Sequence, residues 1–344
     1  MVTILVTGGA GFIGSNFIRF MLDNHKKYRI INLDLLTYAG NLENLKDIET
    51  NANYSFIRGD ICDRSLVERI VSENNIDYII NFAAESHVDR SIKDPEIFIK
   101  SNVLGTQVLL DIAKKYNINK YLQISTDEVY GSLGSTGYFT ENTPLSPNSP
   151  YSASKASADL LVRAYYKTFG LNVNITRCSN NYGPYQFPEK LIPLIIYNAI
   201  NGKKIPVYGD GLNIRDWLHV NDHCSAIDSV LHNGKIGEVY NIGGNNEKTN
   251  IEIVKTIIKN ISKKLPQRGV SESLISFIED RKGHDRRYAI DSTKISRELG
   301  WEPQISFEEG IGMTVDWYLK NTNWLNSIIN EDYKNYYQKV YGEL

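Results

Sequence analysis

The sequence predicts an α/β fold: a doubly wound parallel sheet followed by a smaller, mixed α/β C-terminal domain. Three observations predict it. Short apolar, β-branched runs alternate with segments of helical periodicity through the first half of the chain. A glycine-rich turn joins the first of these runs to the first helical segment. After about residue 180 the grain changes to loops rich in Tyr, Pro, Asn and Gly, with helices between them.

Taken in order, residues 2–7 (VTILVT) read as a buried strand and 12–23 as a helix. Further strands fall at 29–34 (RIINLD), 54–58 (YSFIR), 78–83 (YIINFA) and 120–125 (KYLQIS). Helical patterns lie at 64–73, 102–116 and 152–169. Residues 181–190 (NYGPYQFPEK) and 208–217 (YGDGLNIRDW) read as loops, and 191–201 as a helix. A short strand is expected at 237–242 (GEVYNI), a helix at 250–261 and a polar span at 262–289. The expected division is 1–180 for the sheet domain and 181–330 for the second, with segments of 212–242 free to return to the first sheet. The Tyr-rich tail 331–344 is assigned no role.

The chain has 344 residues, with 38 Lys plus Arg against 40 Asp plus Glu, a formal charge of −2. A dedicated nucleic-acid binder would show a basic excess, so that class is disfavoured. Cys62, Cys178 and Cys224 are odd in number and widely spaced, which fits a reducing compartment and no disulfide framework. The N-terminus lacks a basic n-region, and no run approaches the roughly 18 apolar residues of a membrane span. A cytoplasmic protein is the expectation, with neither nucleic acid nor membrane as a partner.

Residues 8–14 (GGAGFIG) contain G-x-G-x-x-G at Gly9, Gly11 and Gly14, between a strand and a helix. Such glycines allow the tight turn, the approach of a pyrophosphate and close helix packing. The helix start then offers free N–H groups to the phosphates. Asp34 ends the second strand, where an acid would accept from a ribose 2′-hydroxyl and favour NAD. This is a Rossmann-type dinucleotide fingerprint. A plain glycine turn with Asp34 as a capping residue is the competing reading. Gly8, Phe12 and Ile13 share the turn. Asp60 and Ile61 follow the third strand and are expected near the adenine. Ala83 and Ala84 follow the fourth and either line the cofactor or merely pack.

Tyr151 and Lys155 lie four apart on one helix face. An ammonium beside a phenol lowers its pKa from about 10 towards neutral, so Tyr151 could take a proton from a substrate hydroxyl. At the end of the fifth strand stands Thr126-Asp127-Glu128, two carboxyl groups at one strand end. His219 and His223 have a helical metal-ligand spacing, but no third ligand is evident and a structural role is expected, with no metal.

These motifs resemble the extended short-chain dehydrogenase/reductases that act on nucleotide sugars. More narrowly, AAESHVDRSI (83–92), STDEVYG (125–131), SPYSASKA (149–156), RCSNNYGPYQFPEKLIP (177–193), YGDGLNIRDWLHV (208–220) and DRKGHDRRYAID (280–291) resemble the 4,6-dehydratases of dTDP-glucose. The resemblance implies a tightly held NAD, with Ser101 and Asn181 also on the cofactor. It implies Tyr151 as base, Lys155 as its support, Thr126 on the sugar 4-oxygen, Asp127 as acid and Glu128 as C5 base. It further implies substrate contacts from Ser86, His87, Asn180, Lys190, Leu191, Pro206, Tyr208, Arg215, Asn250, Arg281 and His284. A homodimer through the helices at 102–116 and 152–169 is implied as well. Lys282 departs from the family's usual Pro. A UDP-glucose 4,6-dehydratase, a 4-epimerase and a non-catalytic NAD-sensing protein are the alternatives. The two carboxyls oppose the epimerase, and the intact Tyr/Lys pair opposes the sensor.

Overall fold

A computed structural model of the chain describes residues 1–280 and 284–329 and, in the tail, residues 333, 335, 337, 338 and 342. The strands, in chain order, are β1 (Val2–Thr7), β2 (Tyr28–Asp34), β3 (Tyr54–Arg58), β4 (Tyr78–Asn81), β5 (Lys120–Thr126) and β6 (Val173–Cys178). They continue with β7 (Asn180–Tyr182), β8 (Ile205–Tyr208), β9 (Ile214–His219), β10 (Val239–Ile242), β11 (Glu247–Thr249) and β12 (Ile275–Ile278). Seven form one sheet in the order β10-β6-β5-β4-β1-β2-β3. Every pair in it is parallel. This is the doubly wound sheet expected from the alternating pattern.

Strand alternation divides the core between the two faces of the sheet. Ile4 and Val6 pack with Phe17, Met21, Ile227 and Leu231, from the helices Phe12–Asn24 and Val220–Asn233. Leu5, Ile31 and Ile79 face Val67, Ile70, Leu109 and Ile112, from the helices Arg64–Asn74 and Gly105–Lys115. A third core lies in the C-terminal part, where Ile196, Ile257 and Ile311 meet from the helices Leu191–Ile200, Asn250–Lys264 and Phe307–Lys320. Two small sheets flank it, β11-β9-β7 and β12-β8. Residues 239–242 return to the first sheet as β10. No helix of the described residues is long and apolar enough to cross a membrane.

Several sequence expectations are corrected. The loop read at 208–217 is partly strand, because Ile214–Trp217 begin β9. Its alternating, Asp- and Arg-containing sequence hides a strand whose polar side chains are buried. In the loop read at 181–190, Asn181 and Tyr182 belong to β7. β6 went unread for the same reason as β9: Asn174, Thr176 and Arg177 interrupt its apolar run, yet all six residues are buried. β12 lies within the span read as merely polar. The helix expected from 102 starts at Pro95 and passes through a π-helical stretch, Ile99–Leu104, before Gly105–Lys115. Such bulges re-aim side chains and recur at functional sites.

One buried pair braces the sheet beneath its C-terminal edge. Arg177 Nε on β6 donates to Asp159 Oδ2 at 2.9 Å, and its Nη1 donates to Tyr130 Oη at 2.9 Å. The helix Pro150–Phe169 and the turn Asp127–Tyr130 are thereby tied to the same strand. Removing one partner leaves a buried charge uncompensated. Asp159→Ala is expected to cost about 3–5 kcal/mol, measured as a lowered midpoint in chemical denaturation; an unchanged midpoint would show that the pair is not a brace.

Candidate active site

The seven parallel strands all end at one edge, and a cleft opens there, the usual ligand position on such a sheet. After β1 the chain turns at Gly8, whose φ is +71°. A Cβ on Gly14 would lie 2.5 Å from Gly8 O, so only glycine lets the helix pack this close. A Cβ on Gly11 would meet nothing nearer than Gly8 O at 3.3 Å, so its absence keeps room in the cleft. Gly11 caps the helix Phe12–Asn24 with no side-chain hydrogen bond, which leaves first-turn N–H groups for a ligand. This cradle fits a dinucleotide pyrophosphate. Asp34 Oδ2 accepts from Ala10 N at 2.9 Å and Oδ1 from Leu36 N at 2.8 Å. Each carboxylate oxygen keeps a further lone pair for a ribose hydroxyl.

The expected cofactor residues all line this one cleft: Gly8, Gly11, Phe12, Ile13, Gly14, Asp34, Asp60, Ile61, Ala83, Ala84, Ser101, Tyr151, Lys155 and Asn181. Ser101 reaches it from the π-helical stretch. Thr126, Asp127 and Glu128 line the same space. They sit where β5 runs into a short 3-10 turn, Asp127–Tyr130, which Thr126 Oγ1 caps by accepting from Glu128 N at 3.3 Å.

The two carboxyls differ in their surroundings. Asp127 is 2% exposed, and its Oδ2 has no hydrogen-bond partner among the described residues. Burial first, and Glu128 second, push its pKa up to about 8, against the pull of Arg215. Asp127 is therefore protonated at neutral pH. Burial raises Glu128 too, but Lys190 and Arg215 oppose it, and Ser152 Oγ donates to Oε2 at 3.3 Å. Burial still leaves Glu128 raised on balance, but two cations favour its ionised form, and that opposition is what distinguishes it from Asp127.

Tyr151 and Lys155 line the cleft together. The Tyr151 phenol is held well above its usual range, by burial first and then by Glu128, Cys178 and Asp127. Lys155, four residues on, turns its Nζ to Ile124 O at 2.7 Å, and burial lowers its pKa. Burial is thus the first influence on both side chains, raising the phenol and lowering the ammonium.

Of the expected substrate contacts, Ser86, Thr126, Asn180 and Lys190 line the cleft. Lys190 Nζ donates to Ser86 O at 3.0 Å. Arg215 on β9 bears on Asp127 and Glu128 while its Nη2 donates to Asp285 O at 2.8 Å. The other expected contacts have these positions. His87 is buried, its Nε2 3.7 Å from Glu189 Oε2. Leu191 and Asn250 open helices, Pro206 and Tyr208 lie on β8, and His284 Nδ1 meets Asp280 Oδ1 at 2.6 Å. Arg281 and Lys282 lie outside the described residues. His219 Nδ1 accepts from Asn221 N at a helix start, and His223 Nδ1 pairs with Asn181 Oδ1 at 2.8 Å. Burial lowers these histidines to about 4 and about 3, so both are neutral.

Glu85, within the expected lining segment 83–87, is in the cleft, and sequence reasoning missed Gln186, Phe187, Cys178 and Glu189, which also line it. Glu189 is buried within 3.7 Å of both His87 and Arg90. Its signal was its place beside Lys190 in a loop read only as punctuation. Burial pushes the Cys178 thiol up to about 12, so it is no nucleophile.

Residues 5–314 match the family model described as GDP-mannose 4,6 dehydratase. A dTDP-glucose 4,6-dehydratase of Xanthomonas campestris is 53% identical over 97% of this chain and 98% of its own. The chain belongs to the nucleotide-sugar 4,6-dehydratase family. The crystal structure of the dTDP-glucose 4,6-dehydratase of Bacillus anthracis, in complex with NAD, is 56% identical. It covers 95% of this chain and 100% of its own, with a TM-score of 0.88. That of Streptomyces venezuelae, with NAD and thymidine diphosphate (TYD) bound, is 49% identical, covers 94% and 98%, and has a TM-score of 0.87.

For a 4,6-dehydratase, a buried, protonated Asp127 leaves a mark on stability. Between about pH 4 and 8 the folded chain keeps a proton that the unfolded chain has released, so this residue's contribution falls as pH rises. Asp127→Asn removes the titration. The thermal midpoint of the variant should therefore gain on the parent as pH rises through that window; a constant difference would mean Asp127 is not protonated in the fold.

Proposed function

We propose that the chain is a hydro-lyase that converts dTDP-glucose to dTDP-4-keto-6-deoxyglucose with NAD as its tightly held cofactor. The observation that carries this reading is the pair at the end of β5. A proton-holding Asp127 and a cation-flanked Glu128 open on the same cleft as Tyr151 and the glycine cradle. Moving a hydride alone needs no such pair, whereas expelling water needs an acid and a base.

NAD, when bound, supplies the hydride acceptor, the hydride that is later returned, and a positive charge. Tyr151 takes the proton of the sugar 4-hydroxyl as the C4 hydride leaves. Lys155 supports the phenolate, and Thr126 hydrogen-bonds the 4-oxygen. The C4 ketone acidifies C5, and Glu128 takes that proton. Asp127 protonates the C6 hydroxyl, which departs as water. Hydride returns to C6 and a proton to C5, so the net change is the loss of one water.

Residues 1–180, with the returning helix Val220–Asn233 and β10, would hold the cofactor, while 181–330 mainly closes over the nucleotide sugar. Lys190, Arg215 and, by sequence, Arg281 are the cations proposed for the diphosphate, with Ser86 and Asn180 beside the sugar. A homodimer is proposed through the faces that leave Ile99, Leu104 and Leu160 about half exposed. The cytoplasm is the proposed compartment, supported by three free cysteines.

Incubation with NAD and dTDP-glucose should yield a product lighter by one water, with no net reduced cofactor; an isomer of unchanged mass would mean a 4-epimerase. UDP-glucose in a parallel reaction should turn over more slowly. With deuterium at C4, the label should arrive at C6. Asp127→Asn should slow water loss by roughly 10²–10⁴-fold while reduced cofactor still forms; full dehydration would remove the acid role. Leu160→Glu should shift the sedimenting species to a monomer, and an unchanged dimer would place the interface elsewhere.

A further inference from the structure

We propose that His25, Asp228 and His232 form a site for one divalent transition-metal ion of the zinc class. The site lies at the edge of the sheet where the strands begin, away from the cleft, and is independent of the function proposed above. Asp228 and His232 are four apart in the helix Val220–Asn233, so they share one face. His25 is the C-cap of the helix Phe12–Asn24, whose other end carries the glycine cradle. The three side chains thus come from two helices packed on the same face of the sheet.

The donor set and spacing suit such an ion. His25 Nε2 stands 2.9 Å from Asp228 Oδ1, and His232 Nδ1 stands 3.0 Å from the same oxygen. One ligand atom from each residue lies within 4.8 Å of the others. A tetrahedral ion with bonds of 2.0–2.1 Å separates its ligand atoms by roughly 3.3 Å. A movement of roughly 0.4 Å in each of these two pairs, with the two imidazole nitrogens also brought to that separation, would admit it, with water in the fourth position. Two imidazoles and one carboxylate form a borderline set that suits zinc better than calcium or magnesium.

The surroundings orient the ligands. His232 Nδ1 donates to Asp228 O at 2.9 Å and Tyr28 Oη lies 2.8 Å from Nε2; an ion that takes Nδ1 displaces that proton, and Tyr28 Oη is placed to accept from Nε2–H once it carries it. The His25 ring stacks against both Tyr28 and His232, 4.7 and 5.0 Å away centroid to centroid, and those two rings also meet at 5.8 Å. Tyr78 meets His232 edge-on. The nearby Lys120 ammonium, which would oppose a cation, is turned to the Val230 and Gly234 carbonyls. All three ligand side chains keep roughly a fifth to a quarter of their surface, which gives an entry path.

The test uses the full-length, untagged holoenzyme, stripped by chelator and titrated calorimetrically with zinc chloride. One ion per chain and a raised thermal midpoint are expected. The double variant His25→Gln, His232→Gln should lose at least roughly 10-fold in zinc affinity, and turnover with NAD present should stay unchanged. Tyr28→Phe keeps the ring and the stack, and should weaken zinc roughly 10-fold through ligand orientation alone. Cobalt in place of zinc should show a tetrahedral nitrogen–oxygen spectrum. Absence of stoichiometric binding, zinc affinity unchanged in both variants, or a cobalt–thiolate band would each overturn the site.

Discussion

Burying one carboxyl beside another governs the rest of the site. Neither Asp127 nor Glu128 can be ionised cheaply in a cleft walled by strand ends, and both cannot be ionised together without cations close by. The fold answers asymmetrically. Lys190 and Arg215 bear on Glu128, while Asp127 keeps a proton and an oxygen without a partner. Holding this arrangement needs rigid supports. β5 is buried along its whole length, and the turn after it is tied to β6 through Tyr130 and Arg177.

The same burial, with Glu128 beside it, holds the Tyr151 phenol above its usual range.

The sheet and the cradle were legible because their signals are local. A β-branched run, a glycine triplet and an acid at a strand end lie within 34 residues and obey simple geometry. The expected cofactor set and the Thr126-Asp127-Glu128 turn line one cleft. The C-terminal part was less legible. β6 and β9 bury Asn, Thr, Asp and Arg side chains, whose partners lie far away in sequence, so alternation by hydropathy fails there. The substrate contacts depend on how loops at 181–190 and 208–217 approach the cleft. Glu189 was invisible because its value comes from His87 and Arg90, about a hundred residues earlier.

The return of β10 to the first sheet also shapes how the chain is made. β6 ends at Cys178, and its outer edge is covered only when Val239–Ile242 pair with it. The segment between includes β7, β8, β9, the helix Leu191–Ile200 in the C-terminal core and the helix Val220–Asn233 on the sheet. At about 5–20 residues per second, a nascent chain would carry the bare β6 edge for roughly 3–12 s. An uncovered parallel edge is a template for mispairing with another chain. The buried polar residues of β6 that concealed it from hydropathy thus also make that edge less adhesive during the interval before its partner arrives.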